Sequence, residues 1–339
     1  MIFLKKVSIN IVTWNSSVYL PFCLNAIFQQ TYRDFNVLII DNASSDGTLD
    51  YLQTNYPKVK ILRNTQNLGY ARAHNQGIKL TKSEYILIMN PDVILTPNYL
   101  KNVVEVADRR KDMASFGGKL LKFHFKPQDL REIEFTDKID CVGIQPLKSR
   151  KFVNLGEGQA QDSNYQEQKE IFGATGALLF LRRNDLENVR IIDEYFDEDF
   201  YVYKEDIDLA WRLQLFGYRC LYLPSALAFH HRQAQALTSE KLKEVIISRR
   251  SKAKIVNYYS YRNHLFLLLK NEFLSQILWY IPQIFWFELK KFVYLLFFET
   301  STLRAYMDLI KLLPKMLRKR KLILKNKKKH LLSIKKWFI

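Results

Sequence analysis

The chain reads as an α/β protein: a mostly parallel central sheet flanked by helices, followed by a helical C-terminal extension that associates with membranes. Three observations predict this. Short apolar runs alternate with segments of helical spacing from residue 7 onward. Polar residues recur wherever a run ends. From residue 251 the composition turns aromatic, aliphatic and basic.

Residues 7–13 form a β-rich run that ends in the turn Trp14-Asn15-Ser16-Ser17. Over 19–30, Leu20, Leu24, Ile27 and Phe28 fall at helical spacing. A second strand, 35–40, ends at Asp41, and Ser45 or Asp46 caps a helix carrying Leu49 and Leu52. A third strand, 59–62, leads through the polar link 64–69 to a helix over about 70–80. Ile86 to Met89 suits a buried central strand, and Pro91 halts regular pairing after it. Residues 120–170 read as a variable insertion with some hairpin and carry no assignable chemistry. The small residues 173–177 precede a buried strand and serve either close approach to a ligand or close packing. A helix begins near Asp206, buries Leu209 and Leu213, and ends at Gly217. Short extended segments then lead to His230-His231.

The polar strand ends, Thr13 and Asn15, Asp41 and Asn42, Asn64 and Asn67, Asn90 and Asp92, make one rim of the sheet. In open α/β sheets ligands bind at that edge. No G-x-G-x-x-G loop and no P-loop is present, so a nucleotide would be held by side chains. Asp41 is either a turn carboxylate or an acceptor for a ribose hydroxyl or a uracil-type N3–H. Asp92 is either a turn residue or an anchor for a divalent cation on phosphate. Glu205 and Asp206 fall in the first turn of a helix, where acids are favoured in any case. A carboxylate there is expected to stay ionised and to accept a proton from an attacking hydroxyl. His230 is a candidate metal ligand or a surface histidine.

Together, residues 7–15, 39–48, 64–75, Asn90-Pro91-Asp92, 172–178 and 205–212 resemble family 2 glycosyltransferases of the GT-A fold. The branch they most resemble is the bacterial rhamnosyltransferases of surface-polysaccharide assembly. The resemblance covers roughly 5–270 and is weak over 120–170. It implies an inverting enzyme that uses a nucleoside-diphosphate sugar, here dTDP-L-rhamnose, with Mg²⁺ or Mn²⁺. Asp41 matches the base- and ribose-binding aspartate, and Thr13, Asn15 and Asn42 flank it. Asn67, Gly69 and Asn75 match a stretch lining the donor pocket. Asn90-Pro91-Asp92 takes the place of the metal-binding D-x-D, with a neutral Asn90 where that motif has its first aspartate. Asp206 matches the general base, with Glu205 beside it, and His230 matches a histidine near the diphosphate or metal. The implied acceptor is a lipid-linked glycan or polysaccharide. The alternatives are a UDP-hexose donor on the same fold, or a non-catalytic membrane-bound scaffold.

The chain has 339 residues and a formal charge of +18. Residues 1–240 carry 29 basic and 29 acidic side chains, and residues 241–339 carry 23 and 5. The excess lies wholly in the tail, so the N-terminal part has no electrostatic footprint for nucleic acid. Eleven Lys or Arg residues between 315 and 336 alternate with Leu, Ile and Trp, a pattern suited to an anionic membrane surface. A protein partner, a homo-oligomer interface or nucleic acid are the other readings. No uninterrupted apolar run of about 18 residues occurs, so interfacial helices are expected rather than a span. Three cysteines, Cys23, Cys141 and Cys220, match no metal or disulfide pattern, and residues 1–6 are too short for a signal sequence. The expected organisation is a catalytic domain over 1–250 and a membrane-association region over 251–339, peripheral on the cytoplasmic face of the bacterial membrane.

Overall fold

The computed structural model describes residues 5–126, 129–162, 164–232, 249, 253–328 and 334–339. The N-terminal residues 1–4, and 329–333 within the basic run, lie outside the described residues.

The main sheet forms around β1 (Val7–Thr13), β2 (Phe35–Asp41), β3 (Lys60–Arg63) and β4 (Tyr85–Met89), in the order β3-β2-β1-β4 and parallel throughout. Helices α1 (Leu20–Phe28), α2 (Thr48–Asn55) and α3 (Tyr70–Leu80) make the crossovers. Asp46 Oδ1 accepts from the Thr48 backbone N–H at 3.1 Å and so caps α2 from outside it. Beyond β4 the sheet becomes mixed. β11 (Leu178–Arg182) runs antiparallel to both β4 and β6 (Ser115–Lys126), and β12 (Cys220–His230) pairs parallel with β6. β12 is one strand with an irregularity between Leu223 and Leu227, where two segments were expected. Helix α4 (Tyr99–Arg109), which the sequence reading did not pick out, covers this half. The insertion does contain the hairpin: β6 pairs with the long strand β7 (Asp129–Cys141).

Two cores lie on opposite faces, and β4 shows why. Tyr85, Leu87 and Met89 join one with α1 and α4, while Ile86 and Ile88 join the other with α3 and α6 (Glu205–Leu215). Period-two alternation on a strand covered on both sides turns a continuous apolar run into two buried faces.

The tail begins with α7 (Lys254–Asn271), α8 (Leu274–Phe298) and α9 (Arg304–Asn326). The expected boundary near 250 is not a seam. Phe266 and Leu267 of α7, Met316 and Ile323 of α9, and Phe338 share the core that holds Trp211. The expectation that the whole basic run faces lipid also needs correction. Lys319 is buried, 2.6 Å from Asp197 and 2.8 Å from Asp199 and Glu194. Among the described residues, no helix is long and apolar enough to cross a membrane.

Candidate active site

Parallel pairing puts the carboxyl ends of β1 to β4 on one edge. Thr13 lies beside Asp41 in the register, and its hydroxyl donates to Asp41 Oδ1 at 2.9 Å. The buried Asp41 carboxylate also accepts from the Ser44 N–H at 3.1 Å and the Ser44 hydroxyl at 2.5 Å. Asn15, at φ 51, ties the two loops: its N–H donates to Ser44 Oγ and its Oδ1 accepts from the Ser45 N–H. Asn42 accepts from Asn64 at 2.9 Å and donates to the Gly69 carbonyl at 3.2 Å. The Asn42 N–H donates to the Thr13 carbonyl and the Asn64 N–H to the Asp41 carbonyl, so the rim at the ends of β1, β2 and β3 is one network.

Three expected donor-pocket residues have structural partners. Asn67 Oδ1 accepts from the Gly69 N–H at 2.9 Å. Gly69 sits at φ 80, and a Cβ there would lie 2.5 Å from the Tyr201 ring and 2.6 Å from its carbonyl. Tyr201 fills that space, so the glycine is required by chain packing. Asn75 is buried, and its amide bonds both the N–H and the carbonyl of Phe196 and reaches Glu198 at 3.1 Å. It holds the loop before α6.

The Gly176-Ala177 segment joins the Asn90-Pro91-Asp92 turn to the start of α6. The Asn90 N–H donates to the Ala177 carbonyl at 2.9 Å, and the Gly176 N–H donates to Asp206 Oδ2 at 2.8 Å. Tyr70, at the start of α3, donates its hydroxyl to the Gly176 carbonyl at 2.6 Å. A Cβ on Gly176 would meet Tyr70 Oη at 3.0 Å and Asp206 Cβ at 3.2 Å. Gly173, by contrast, is needed for packing: a Cβ there would lie 2.3 Å from Ala210 Cβ.

Asp206 Oδ1 also accepts from the Ile207 N–H at 2.8 Å. Burial raises its pKa, and these two N–H bonds together with the Lys204 charge only partly offset that. Burial and the Asp206 charge push Glu205 well up, and among the described residues its Oε2 has no hydrogen-bond partner. Both carboxyls are thus shifted toward the protonated form, against the expectation that they stay ionised. Burial and a like charge nearby both disfavour the ionised form.

His230 ends β12, where its pairing with Val93 brings it against Asp92. Its Nε2 lies 3.4 Å from Asp92 Oδ1, and among the described residues that buried oxygen has no other partner. Its Nδ1 is 2.8 Å from Oδ2 of Asp140, whose Oδ1 is 2.9 Å from Arg232 Nε. Burial alone would lower the His230 pKa, but Asp92 and Asp140 outweigh it and lift the ring to about 9. Among the described residues no group of three or more acidic, histidine or cysteine side chains is placed to hold a metal ion. A carboxylate behind one ring nitrogen orients histidine ligands in this way, and a divalent ion here would displace the proton the ring otherwise shares with Asp92. Asp92 and His230 would hold the ion, while a role for Asn90 rests on its position in the turn. Asp140 was missed because nothing in residues 120–170 distinguishes it; only β7 pairing brings it to β12.

The loop into α6 is strained: Tyr201, Tyr203 and Lys204 have φ of 64, 71 and 69. Asn263 of α7 braces it, its amide donating to the carbonyls of Phe200, Val202 and Tyr203, each at 2.8 Å.

The sequence model of a family described as "Glycosyl transferase family 2" matches residues 8–188. The chain is 24% identical over 241 residues to the N-acetylglucosaminyl-diphospho-decaprenol L-rhamnosyltransferase of Mycobacterium tuberculosis, covering 65% of this chain and 74% of that protein. Its fold is similar to that of S. aureus TarS in complex with UDP, with a TM-score of 0.52, 17% identity, and coverage of 80% of this chain and 65% of that one. It is also similar to GalNAc-T7 with UDP, GalNAc and Mn²⁺, with a TM-score of 0.55, 14% identity, and coverage of 86% and 58%.

Proposed function

The chain belongs to glycosyl transferase family 2 and has a GT-A fold, and from that premise we propose that it moves L-rhamnose from dTDP-L-rhamnose onto a hydroxyl of a lipid-linked glycan with inversion. The observation that carries the chemistry is the Gly176-Ala177 segment, whose Gly176 N–H holds the Asp206 carboxylate and whose Ala177 carbonyl holds the Asn90 N–H of the Asn90-Pro91-Asp92 turn. Base and cation site then face one donor from two sides. The rhamnosyl donor and lipid-linked acceptor are supported by the mycobacterial relative's name.

Asp206 accepts the acceptor hydroxyl's proton as that oxygen attacks the anomeric carbon. Its raised pKa makes it a stronger base than an exposed aspartate. Gly176 fixes one oxygen by its N–H and Ile207 the other, so the carboxylate cannot rotate freely. Asp41, held by Thr13 and Ser44, lines the nucleoside end of the rim. A divalent ion, Mg²⁺ or Mn²⁺, held by Asp92 and His230 would supply positive charge to the departing diphosphate.

The exposed face of α8 carries Phe285, Trp286, Phe292 and Phe297, with Lys290 5.0 Å from the Trp286 ring centroid. Aromatic groups beside basic ones suit an anionic membrane interface, supporting peripheral docking at the cytoplasmic face.

The test is nucleoside-diphosphate release from a panel of nucleotide sugars, with bacterial membranes as acceptor. Release from dTDP-L-rhamnose, lost on chelation and in Asp206→Asn, is expected. Preference for a UDP-hexose would overturn the rhamnosyl assignment. Nucleotide binding without any transfer would favour a scaffold.

A further inference from the structure

The start of α3 reaches the base through one glycine. Tyr70 donates its hydroxyl to the Gly176 carbonyl at 2.6 Å, while the Gly176 N–H donates to Asp206 Oδ2 at 2.8 Å. These two groups belong to successive peptides of one turn. The Leu178 N–H donates to the Thr175 carbonyl at 3.2 Å, which makes 175–178 a β-turn with Gly176 and Ala177 in its middle. The carbonyl that Tyr70 holds is that of the middle peptide. The N–H of the same peptide, on Ala177, lies 3.4 Å from Thr175 Oγ1. The next carbonyl, that of Ala177, accepts from the Asn90 N–H.

The middle peptide of a β-turn is the one that reverses between turn types. Glycine before it leaves that rotation open, because no Cβ restricts it. Reversal would turn an N–H toward the Tyr70 hydroxyl, donor against donor, and would loosen the flanking peptides that hold Asp206 and Asn90. The space is equally specific. A Cβ on Gly176 would meet Tyr70 Oη at 3.0 Å, Asp206 Cβ at 3.2 Å and Asp206 Oδ2 at 3.4 Å, so hydroxyl, glycine and carboxylate converge on one point. The Tyr70 ring is fixed edge-on against His74, centroids 4.2 Å apart, and against Phe196 at 5.9 Å. Burial pushes His74 down to about 3, so it packs as a neutral ring and adds no charge beside the base. Burial and the nearby Glu205 and Asp206 charges keep the Tyr70 phenol protonated, as a donor must be. A phenylalanine would fill the same space against His74 and Phe196, and only the hydroxyl can hold the peptide.

We propose that Tyr70 is a positioning residue for the base: its hydroxyl fixes the middle peptide of the 175–178 turn, and through Gly176 it fixes how the Asp206 carboxylate is aimed relative to the Asn90-Pro91-Asp92 turn. This deepens the glycosyl-transfer reading and rests on it for the role of Asp206.

The charged and titratable groups that act on Asp206 are Lys204 and Glu205 beside it, Tyr70 from α3 and Arg232 after β12. Tyr70→Phe changes none of their charges. What it loosens is the Gly176 N–H bond, which favours the ionised Asp206. The acid limb of the kcat profile should therefore move to higher pH than in the wild type. Misaiming of the base should lower kcat about 10–100-fold in nucleoside-diphosphate release, with the donor KM and nucleotide binding by calorimetry unchanged. Hydrogen exchange should speed up in peptides covering 173–178 and nowhere else. A double variant, Tyr70→Phe with Asp206→Asn, should be no slower than Asp206→Asn alone, because the hydroxyl acts through that carboxylate. A wild-type rate and pH profile in Tyr70→Phe overturns the proposal, as do additive losses in the double variant. So does a slower rate accompanied by weaker nucleotide binding or by faster exchange throughout the chain, which would make the hydroxyl a general stability contact. Local loosening at 173–178 in a protein that transfers no sugar from any nucleotide sugar would support the Tyr70–Gly176 tie and overturn the glycosyl-transfer reading instead.

Discussion

At the residue scale, Asp206 is shaped by two opposed forces. Two N–H groups and a helix start favour its charged form, and burial disfavours it. Burial wins, so the acid limb of the pH–rate profile should lie above the ordinary aspartate range of about 3.9. The sign follows from the mechanism: a base must be deprotonated, and a raised pKa means activity is lost at a higher pH as the solution is acidified. Asp206→Asn should lower kcat by about 10²–10⁴-fold, with nucleotide binding kept by calorimetry. Asp140 acts at one remove. It holds His230 Nδ1 and leaves Nε2 facing Asp92. Asp140→Asn should weaken Mn²⁺ binding about 10–100-fold in a direct titration, while metal-free nucleotide binding is unchanged.

At the element scale, the loop before α6 is held by the tail. Lys270 of α7 pairs with Asp197 and, at 2.8 Å, with Asp208. Lys319 of α9 reaches Glu194, Asp197 and Asp199. Asp208 in turn accepts from Arg212 Nε at 2.9 Å on α6. Removing one partner from a buried network leaves charge uncompensated. Lys319→Met should therefore cost about 3–5 kcal/mol in denaturant unfolding. Lys315→Ala should cost about 1 kcal/mol or less, because the Lys315 side chain is 47% exposed. Burial would raise Asp197, but Lys270 and Lys319 together depress it strongly. A depressed acid contributes stability that is full above its unfolded value, about 3.9, and is lost as pH falls toward its folded one. The unfolding midpoint should thus drop on acidification below about pH 4, and do so less in Lys319→Met.

At the scale of the whole molecule, two cores flank one sheet and the tail belongs to one of them. Outside that core the tail packs a small cluster of its own around Tyr261, Tyr294, Leu295 and Ala305, and it exposes an apolar face of α8, where Trp279 is 73% exposed. A double change, Trp286→Ala with Phe297→Ala, should reduce flotation on anionic vesicles several-fold. The unfolding free energy should move by only about 0.5 kcal/mol per site, since neither side chain is in the core.

Patterns of short range were legible in the sequence. The alternation of strand and helix, the buried run of β4, the start of α6 and the rim residues Thr13, Asp41, Asn90 and Asp92 follow from residue types and local periodicity, which act over a turn or a strand. Helix α4 is the exception, since its apolar spacing was there to read. What tertiary structure alone decided depends on partners far apart in the chain. Asp140 and His230 meet across 90 residues, Lys319 and Asp197 across 122. A lysine in a basic run has the same local signature whether it faces lipid or a buried aspartate. The same holds for Asp206, whose neighbours in sequence favour an ionised acid, while its burial beside Gly176 and Tyr70 raises its proton affinity.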